Sequence, residues 1–450
     1  MYDPYISNEI PHNQPWPESY WAAEFLPQSG SMQKYPTLEG EHKVEVAIIG
    51  AGYTGLNCAL SLAELGIEAT VLEANRPGWG CAGRNAGFIL PGSGRLGYTA
   101  LHKKYGELAA QRCYQDYYQA LESIAERLES INDNIHLVNS GYLKIAHNGS
   151  AATAMRQEWQ SLPREYKDQS EWVDKAQISP RFIPDYQGEG ALFRPSGQAL
   201  NPFRYAQGLA QLVHQAKVDL FTDTPVVNWS KSKGKHILTT STGTVIADKV
   251  VIASNAYSPT GLHLHMRKQF PVLSSILVTS PLPPEIAQKW YTHLTAMDTR
   301  SLKYYYRLLP DNRILFGGRG AVTGKNANSD SSRQALKEAF NSYFPHLTQL
   351  QTAYFWSGWV SVAFDDIPHI GTVNNDDSVY FATGYCGSGV SFATHAGKRL
   401  AQLIDGQKLS IFDSPVYQQP LPDFPFSRFR RLGLQGFYIW QKIRDKAGIN

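Results

Sequence analysis

The sequence predicts a mixed α/β and α+β chain. One unit is a Rossmann-like nucleotide-binding domain assembled from separated stretches, and the other a domain built on a mainly antiparallel β-sheet. Three observations predict this. "VAIIGAGYTG" (Val46–Gly55) puts a Gly-x-Gly-x-x-Gly directly after an apolar run. "SVYFATGYCGSGV" (Ser378–Val390), near the other end of the chain, repeats the order of strand, glycine loop and helix. Between them lie many short strand-like stretches separated by turn residues.

The elements follow in order. Val44–Ile49 reads as a buried parallel strand. Gly50 permits the tight turn, Gly52 lets the backbone approach a pyrophosphate, and Gly55 lets the next helix pack close to the strand. That helix, Tyr53–Leu65, points its first N–H groups at the phosphates and ends at Gly66. Glu68–Leu72 is a second strand. It ends in Glu73, about 20 residues past the glycines, where a ribose diol is expected. A carboxylate there repels a 2′-phosphate, which excludes NADP and leaves NAD or FAD.

"ANRPGWGCAGRNAGFILPGSG" after Glu73 is too glycine-rich for a helix or strand interior. Gly106–Ile131 predicts a long amphipathic helix, Gly141–His147 a strand, and the residues to Pro184 polar helical turns. Asn201 caps a helix with Pro202 in its first turn. "VDLFTD", "PVVNWS", "KHILTTS" and "GTVIADKVVIAS" are strands, and Lys249–Ala253 suits a buried parallel position. "SSILVTSPL" is a strand, and "KYYYRLLPDNRILFGGRG" is a hairpin turning at Asp311-Asn312. Ser331–Phe344 is helical, and "TAYFWSGWVSVAF" is another strand. The resulting division is an N-terminal extension draped over the surface (1–43), a nucleotide domain (44–95, 201–262, 364–410), a second domain (96–200, 263–363) and a tail (411–450).

Composition narrows the class. Over 450 residues, 42% are hydrophobic and 18% charged, as in a globular protein with a large core. A net charge of +3 is too mild to argue for nucleic acid. Cys58, Cys81, Cys113 and Cys386 stand far apart, which argues against a disulfide framework or a metal site and for a cytoplasmic protein. The first residues do not read as a secretory signal. No stretch is apolar enough, for long enough, to cross a bilayer. The tail "FSRFRRLGLQGFYIWQKIRDKAGIN" interleaves basic and aromatic residues, a pattern that fits packing on its own domain or contact with an anionic membrane.

A second strand–glycine–helix unit so late in the chain is not needed by NAD dehydrogenases, but is needed by flavoproteins with a split FAD domain. The segments "AIIGAGYTGLNCALSLAELG", "VLEANRPGWGCAGRNAGF", "VVIASNAY", "YYYRLLPDNRILFGG", "DDIPHIG" and "TGYCGSGVSFATHAGKRLA" resemble the D-amino-acid oxidase / glycine oxidase superfamily of FAD enzymes. The likeness runs from about Ser19 to the end and is greatest to the γ-glutamylputrescine oxidase branch. It implies that Gly50, Gly52, Tyr53, Thr54 and Gly55 lie on the pyrophosphate and that Glu73 holds the adenosine ribose. It implies further that Gly83, Arg84, Asn85 and Gly87 wrap the ribityl chain and flavin, and that the Val226 backbone reads adenine. Gly384, Gly387, Ser388, Gly389 and Val390 would face the pyrimidine edge, where helix N-terminal N–H groups stabilise the charge of reduced flavin.

The sequence also departs from that family. Gly387-Ser388-Gly389 stands where the family often has Gly-His-Gly. No cysteine lies between Cys113 and Cys386, where relatives attach the flavin covalently, so noncovalent FAD is expected. Leu309 occupies the place of a carboxylate-clamping arginine. Strand alternation pairs Tyr305 with Arg307 and Tyr304 with Tyr306; the first pair, with Trp356, are candidates for the substrate pocket. His369 and His395 read as structural. The expected reaction is oxidation of an amine to an imine, with electrons passing to O2 or, alternatively, to a quinone. A flavoprotein subunit without turnover is the rival from another class.

Overall fold

A computed structural model describes residues 1–26, 32–186, 188–259, 262, 268–373, 376–424 and 429–447, with side chains described as far as residue 441. Its first sheet has the strand order His369–Val373, Asp376–Thr383, Gly243–Ile252, Gly40–Ile49, Ala69–Leu72, Asp219–Phe221, and the hairpin Asn228–Ser232/Lys235–Thr239 folds onto Gly243–Ile252. The four inner strands are parallel and end together. Ile49 pairs with both Leu72 and Ile252, and Ile252 with Phe381. The glycine loops after Ile49 and Thr383 therefore leave the same carboxyl edge of the sheet, although they are far apart in sequence. Ligands of open α/β sheets bind at that edge.

The helices after the two loops, Tyr53–Glu64 and Gly389–Ile404, pack side by side. Gly397 makes the close approach possible: a Cβ there would stand 2.6 Å from Cys58 N and from Thr54 O. The long helix Glu107–Ser130 lies along Gly389–Ile404 and is fastened to it by Asp116, His395 and Arg399.

The second sheet runs Thr352–Val362, Phe270–Thr279, Ile314–Arg319, Tyr305–Leu308, Thr295–Asp298, Tyr142–Ile145, Ala191–Arg194, Glu171–Val173. All its pairs are antiparallel except Thr295–Asp298 with Tyr142–Ile145. The hairpin predicted at Asp311-Asn312 is present, with Asn312 at φ 62°. One face of this sheet is covered by the helix Asp330–Tyr343, and Tyr306, Phe316, Phe340 and Phe344 fill the space between. The two sheets draw on different stretches of chain, and we propose them as the two units of the division drawn above. The boundary at 262–263 falls beside residues 260, 261 and 263–267, which lie outside the described set.

Four local expectations need correction. The N-terminal stretch is not a surface drape. Ser19 caps a helix, Tyr20–Phe25, whose Trp21 and Phe25 are buried with Phe203 and Trp356, and the first strand already begins at Gly40. Burial of large aromatics outweighs the lack of a periodic pattern there. The glycine-rich stretch after Glu73 contains a 3-10 turn, Cys81–Gly83, and a two-residue strand, Phe88–Ile89, paired with Gln198–Ala199. Gly106, at φ 88°, separates Glu107–Ser130 from a further helix, Tyr98–Tyr105. The polar region before Pro184 includes an edge strand, Glu171–Val173.

The tail forms the helix Arg430–Ala447, which buries Leu434 against Val272, Val362 and Cys386. Arg431 pairs with Asp3, while Phe429, Leu432, Ile439 and Trp440 stay exposed. Residues 425–428 and 448–450 of the tail lie outside the described set. Among the described residues no helix is long and apolar enough to cross a membrane.

Candidate active site

A single long cleft opens at the carboxyl edge of the first sheet and runs to the second sheet. Gly50, Gly52, Tyr53, Thr54, Glu73, Arg84, Asn85, Gly87, Val226, Gly387, Ser388, Gly389 and Val390 line it. Motifs scattered along the chain thus share one wall.

The glycines divide into two kinds. Gly55 and Gly83 serve packing: a Cβ would stand 1.9 Å from Gly50 O and 2.3 Å from Gly78 O respectively. Gly50 (φ 109°) and Gly87 (φ 76°) serve turns, with Ala253 O and Leu200 O close by. Gly52 and Gly387 instead border open space. A Cβ on Gly52 would meet only the Ala82 Cβ, at 3.9 Å, and one on Gly387 would meet nothing within 4 Å. The protein does not need those two positions empty for its own packing, whereas a ligand lying against the backbone does.

Glu73 is held rigidly. Its Oε2 accepts from Ala51 N at 2.8 Å and its Oε1 from Asn75 N at 2.9 Å. Burial pushes its carboxyl up, against those two backbone donors. Each oxygen keeps a free lone pair toward the cleft for ribose hydroxyls. Tyr53 contributes its backbone, because its phenol is used elsewhere, donating toward Ala82 O (2.7 Å) and Pro202 O (2.9 Å). Thr54 Oγ1 lies 2.8 Å from the Tyr385 hydroxyl, which ties the first glycine loop to the second.

The loop of Gly83 to Gly87 is braced from behind. Arg84 Nε donates to Trp79 O at 2.9 Å, and its guanidinium lies 4.8 Å from the Trp79 ring centroid. Asn85 Nδ2 bonds Ala82 O at 2.9 Å, and its Oδ1 accepts from Gly87 N at 2.8 Å. Opposite, Gly384 (φ 82°) and Gly387 (φ 93°) shape the turn before the helix Gly389–Ile404, whose first N–H groups face the cleft.

The three substrate-pocket candidates separate. Tyr305 lines the cleft and its hydroxyl lies 2.7 Å from Ser274 Oγ. Arg307 shares its sheet face but is buried. Its Nη1 donates to Ala86 O (3.0 Å) and Leu200 O (2.9 Å), and its guanidinium covers the Trp21 ring. Trp356 is buried too, donating from Nε1 to Arg84 O at 2.8 Å. Arg307 and Trp356 thus hold the loop that lines the cleft and do not line it themselves. Sequence reading missed Lys303, Arg95 and Arg319, which line the end of the cleft formed by the second sheet. They come from three separate stretches, and no local motif marks them.

These features fit FAD: a rigid ribose-binding carboxylate, two helix N-termini, two glycines bordering open space, and a braced loop between them. Among the described residues no group of His, Cys, Asp or Glu is arranged to hold a metal.

Comparison with known proteins agrees. Residues 45–403 match the family model DAO, described as FAD dependent oxidoreductase. The chain is 30% identical over 390 residues to the probable oxidoreductase OrdL of Haemophilus influenzae, covering 84% of this chain and 88% of that one. It is 27% identical over 438 residues to the gamma-glutamylputrescine oxidoreductase of Escherichia coli, covering 96% and 99%. Its fold matches the crystal structure of glycine oxidase from Geobacillus kaustophilus with a TM-score of 0.68 at 20% identity, over 85% of this chain and all of the other. With the motifs of one FAD cleft gathered in space and a family match spanning most of the sequence, the chain belongs to the DAO family of FAD-dependent oxidoreductases.

Proposed function

We propose that this enzyme oxidises amines whose oxidised carbon carries no carboxylate, acylated or glutamylated diamines among them, with noncovalent FAD and with O2 as electron acceptor. One observation carries the choice of substrate. Leu309 is buried among Ile276, Leu315 and Trp356, and Arg307 is bonded to Ala86 O and Leu200 O. Neither offers the strand a guanidinium for an α-carboxylate, and burying an unpaired carboxylate is costly. Similarity along nearly the whole of the gamma-glutamylputrescine oxidoreductase supports the same reading.

Bound FAD supplies a two-electron oxidant, so the amine leaves as an imine that water hydrolyses. The chain supplies position and environment. Burial pushes the Tyr305 phenol up to about 12, so it stays neutral and can orient an amine through its hydroxyl. Burial also pushes the cleft thiols of Cys81 and Cys386 up to about 11, which keeps them protonated and unreactive and supports noncovalent FAD. Free thiols at all four cysteines suit a cytoplasmic setting. A second reading sends the electrons to a membrane quinone, and the exposed Leu432, Ile439 and Trp440 of the C-terminal helix favour it.

The test is anaerobic mixing of the holoenzyme with γ-glutamylputrescine, acylated diamines and putrescine against glycine, sarcosine, D-alanine and D-proline. Bleaching of the flavin should be fastest with the first group; faster bleaching by any α-amino acid overturns the proposal. Peroxide formation, measured beside reduction of an artificial quinone, separates the two acceptors.

A further inference from the structure

The end of the cleft formed by the second sheet is strongly cationic. Lys303, Arg319 and Arg95 line it, and Lys144 stands behind Lys303. The carboxylates nearby are already engaged. Asp298 accepts from Arg300 Nη1 at 2.6 Å and from Tyr304 N at 3.1 Å, and Asp366 faces Arg95 at 3.6 Å. Lys303 and Arg319 have neither an ion pair nor a hydrogen bond among the described residues. Cations crowded together out of water, with no counter-charge of their own, oppose folding unless a ligand answers them. Burial, together with Lys144, Arg95 and Arg319, pushes Lys303 down to about 8.

Position separates this cluster from the redox centre. The loop of Gly384 to Gly389 is tied to the strand Thr352–Val362, where Cys386 N donates to Ser361 O at 3.1 Å. Gly358 on that strand lies against Arg84, 3.3 Å from its Cβ position. Along the sheet, Phe270–Thr279 and then Ile314–Arg319 intervene before Tyr305–Leu308, which Lys303 precedes. At about 4.8 Å per strand, three steps amount to roughly 14 Å. A group meeting Lys303 thus lies a substrate's length from the flavin-facing loop, too far to be the α-carboxylate of an amino acid undergoing oxidation.

We propose that Lys303 and Arg319 form an anion-binding subsite, and that the substrate is a long amine bearing a carboxylate at the end remote from the oxidised carbon. This rests on the amine-oxidase reading above and deepens it. Lys303 is the adaptable partner, a point charge on a flexible stem, and Arg319 the directional one, its planar fork matched to a carboxylate. A free diamine, cationic at both ends, would be repelled by the same groups.

The experiment has a binding arm and a turnover arm. In the first, the FAD-loaded enzyme is titrated calorimetrically with glutarate and with glutaramide. Glutarate should bind more tightly, and Lys303→Met and Arg319→Met should each weaken it by about 10- to 100-fold, the loss of one charge-assisted contact. Lys303→Arg should restore binding, which separates a lost charge from a misfolded variant. In the second arm, anaerobic flavin reduction is compared for N-acyl diamines ending in a carboxylate or in the matching amide. The acid should have the lower KM, and Lys303→Met should erase that preference without changing the flavin spectrum or its midpoint potential. Equal affinity of the wild type for glutarate and glutaramide, or glutarate binding untouched in both variants, overturns the subsite. A shifted flavin potential would assign the two cations to the cofactor and overturn it as well. If glutarate binding depends on Lys303 but no amine reduces the flavin, the subsite stands and the amine-oxidase reading falls.

Discussion

His395 bridges two helices that are remote in sequence: its Nε2 lies 2.8 Å from Asp116 Oδ1 and its Nδ1 2.8 Å from Ser123 Oγ. Arg399 and Tyr417 reach the same carboxylate, at 3.0 Å and 2.6 Å. The cluster is buried and clamps Glu107–Ser130 to Gly389–Ile404, the helix whose first turn faces the cleft. Burial pushes the His395 imidazole down, and Asp116 only partly offsets this. For Asp116 burial acts upward, but the hydrogen bond and charge of His395, the charge of Arg399 and the bond from Tyr417 outweigh it, and the carboxyl ends below its usual range.

Asp116→Asn should therefore destabilise the fold strongly. It strands Arg399 in the interior, and breaking a buried pair from one side costs about 3–5 kcal/mol. Both shifts give stability the same sign with pH. His395 and Asp116 each bind fewer protons folded than unfolded, so their contribution is complete above the unfolded values. It is lost as pH falls, first below the ordinary imidazole range and then below the carboxylate range. Urea unfolding of the FAD-saturated protein between pH 4 and pH 8 measures this, and a wild-type acid limb in the variant would refute the clamp.

Glu73→Ala should weaken FAD binding. Loss of a charge-assisted hydrogen bond costs about 1.5–3 kcal/mol, or roughly 10- to 100-fold in affinity. The variant also leaves Ala51 N and Asn75 N without their acceptor. Fluorescence titration of the folded apoprotein with FAD is the measurement, and unchanged affinity would exclude the ribose role.

Gly387→Ala should slow flavin reduction while FAD still binds. Its φ of 93° is one that L side chains rarely adopt, and the added methyl projects into open space beside the helix N-terminus. A loop relaxed away from this geometry turns its N–H donors off the place where reduced flavin gathers charge, so the midpoint potential should fall. A wild-type potential and reduction rate would remove the loop from that role.

The legible part of the site is the part written locally. Gly50, Gly52, Gly55 and Glu73 belong to one strand–helix–strand unit, so spacing alone proposes their roles. Alternation correctly put Tyr305 and Arg307 on one sheet face, but that face is shared between the cleft and the back of the Ala86 loop, and a period of two cannot say where the division falls. The burial of Trp21 and Phe25 was illegible because it depends on Phe203 and Trp356, distant partners with no pattern in common. The cationic end was hidden for the same reason. Lys144, Lys303 and Arg319 look like ordinary charges until the strand order of the second sheet brings them together.

Lys303 should set the alkaline limit for substrates with a remote carboxylate. The groups around it are Lys144 from its own sheet, Arg95 from the loop before Tyr98–Tyr105, Arg319 from the hairpin partner, and Asp298, the one that opposes the shift and is already held by Arg300. With a value near 8, Lys303 is charged at neutral pH and loses its proton on mild alkalinisation. A bound carboxylate favours the charged form, so affinity for the acid is full below about pH 8 and declines above it. The substrate amine titrates in the opposite sense, since only its neutral form is oxidised, and a single pH profile would blend the two. The ratio of kcat/KM for the carboxylate substrate to that for its amide analogue cancels the amine. That ratio should be flat at neutral pH and fall by about tenfold or more as Lys303 deprotonates, the scale of one charge-assisted contact. Lys303→Arg should hold the ratio flat to higher pH, because a guanidinium keeps its proton. A ratio independent of pH in the wild type would show that Lys303 does not meet the carboxylate.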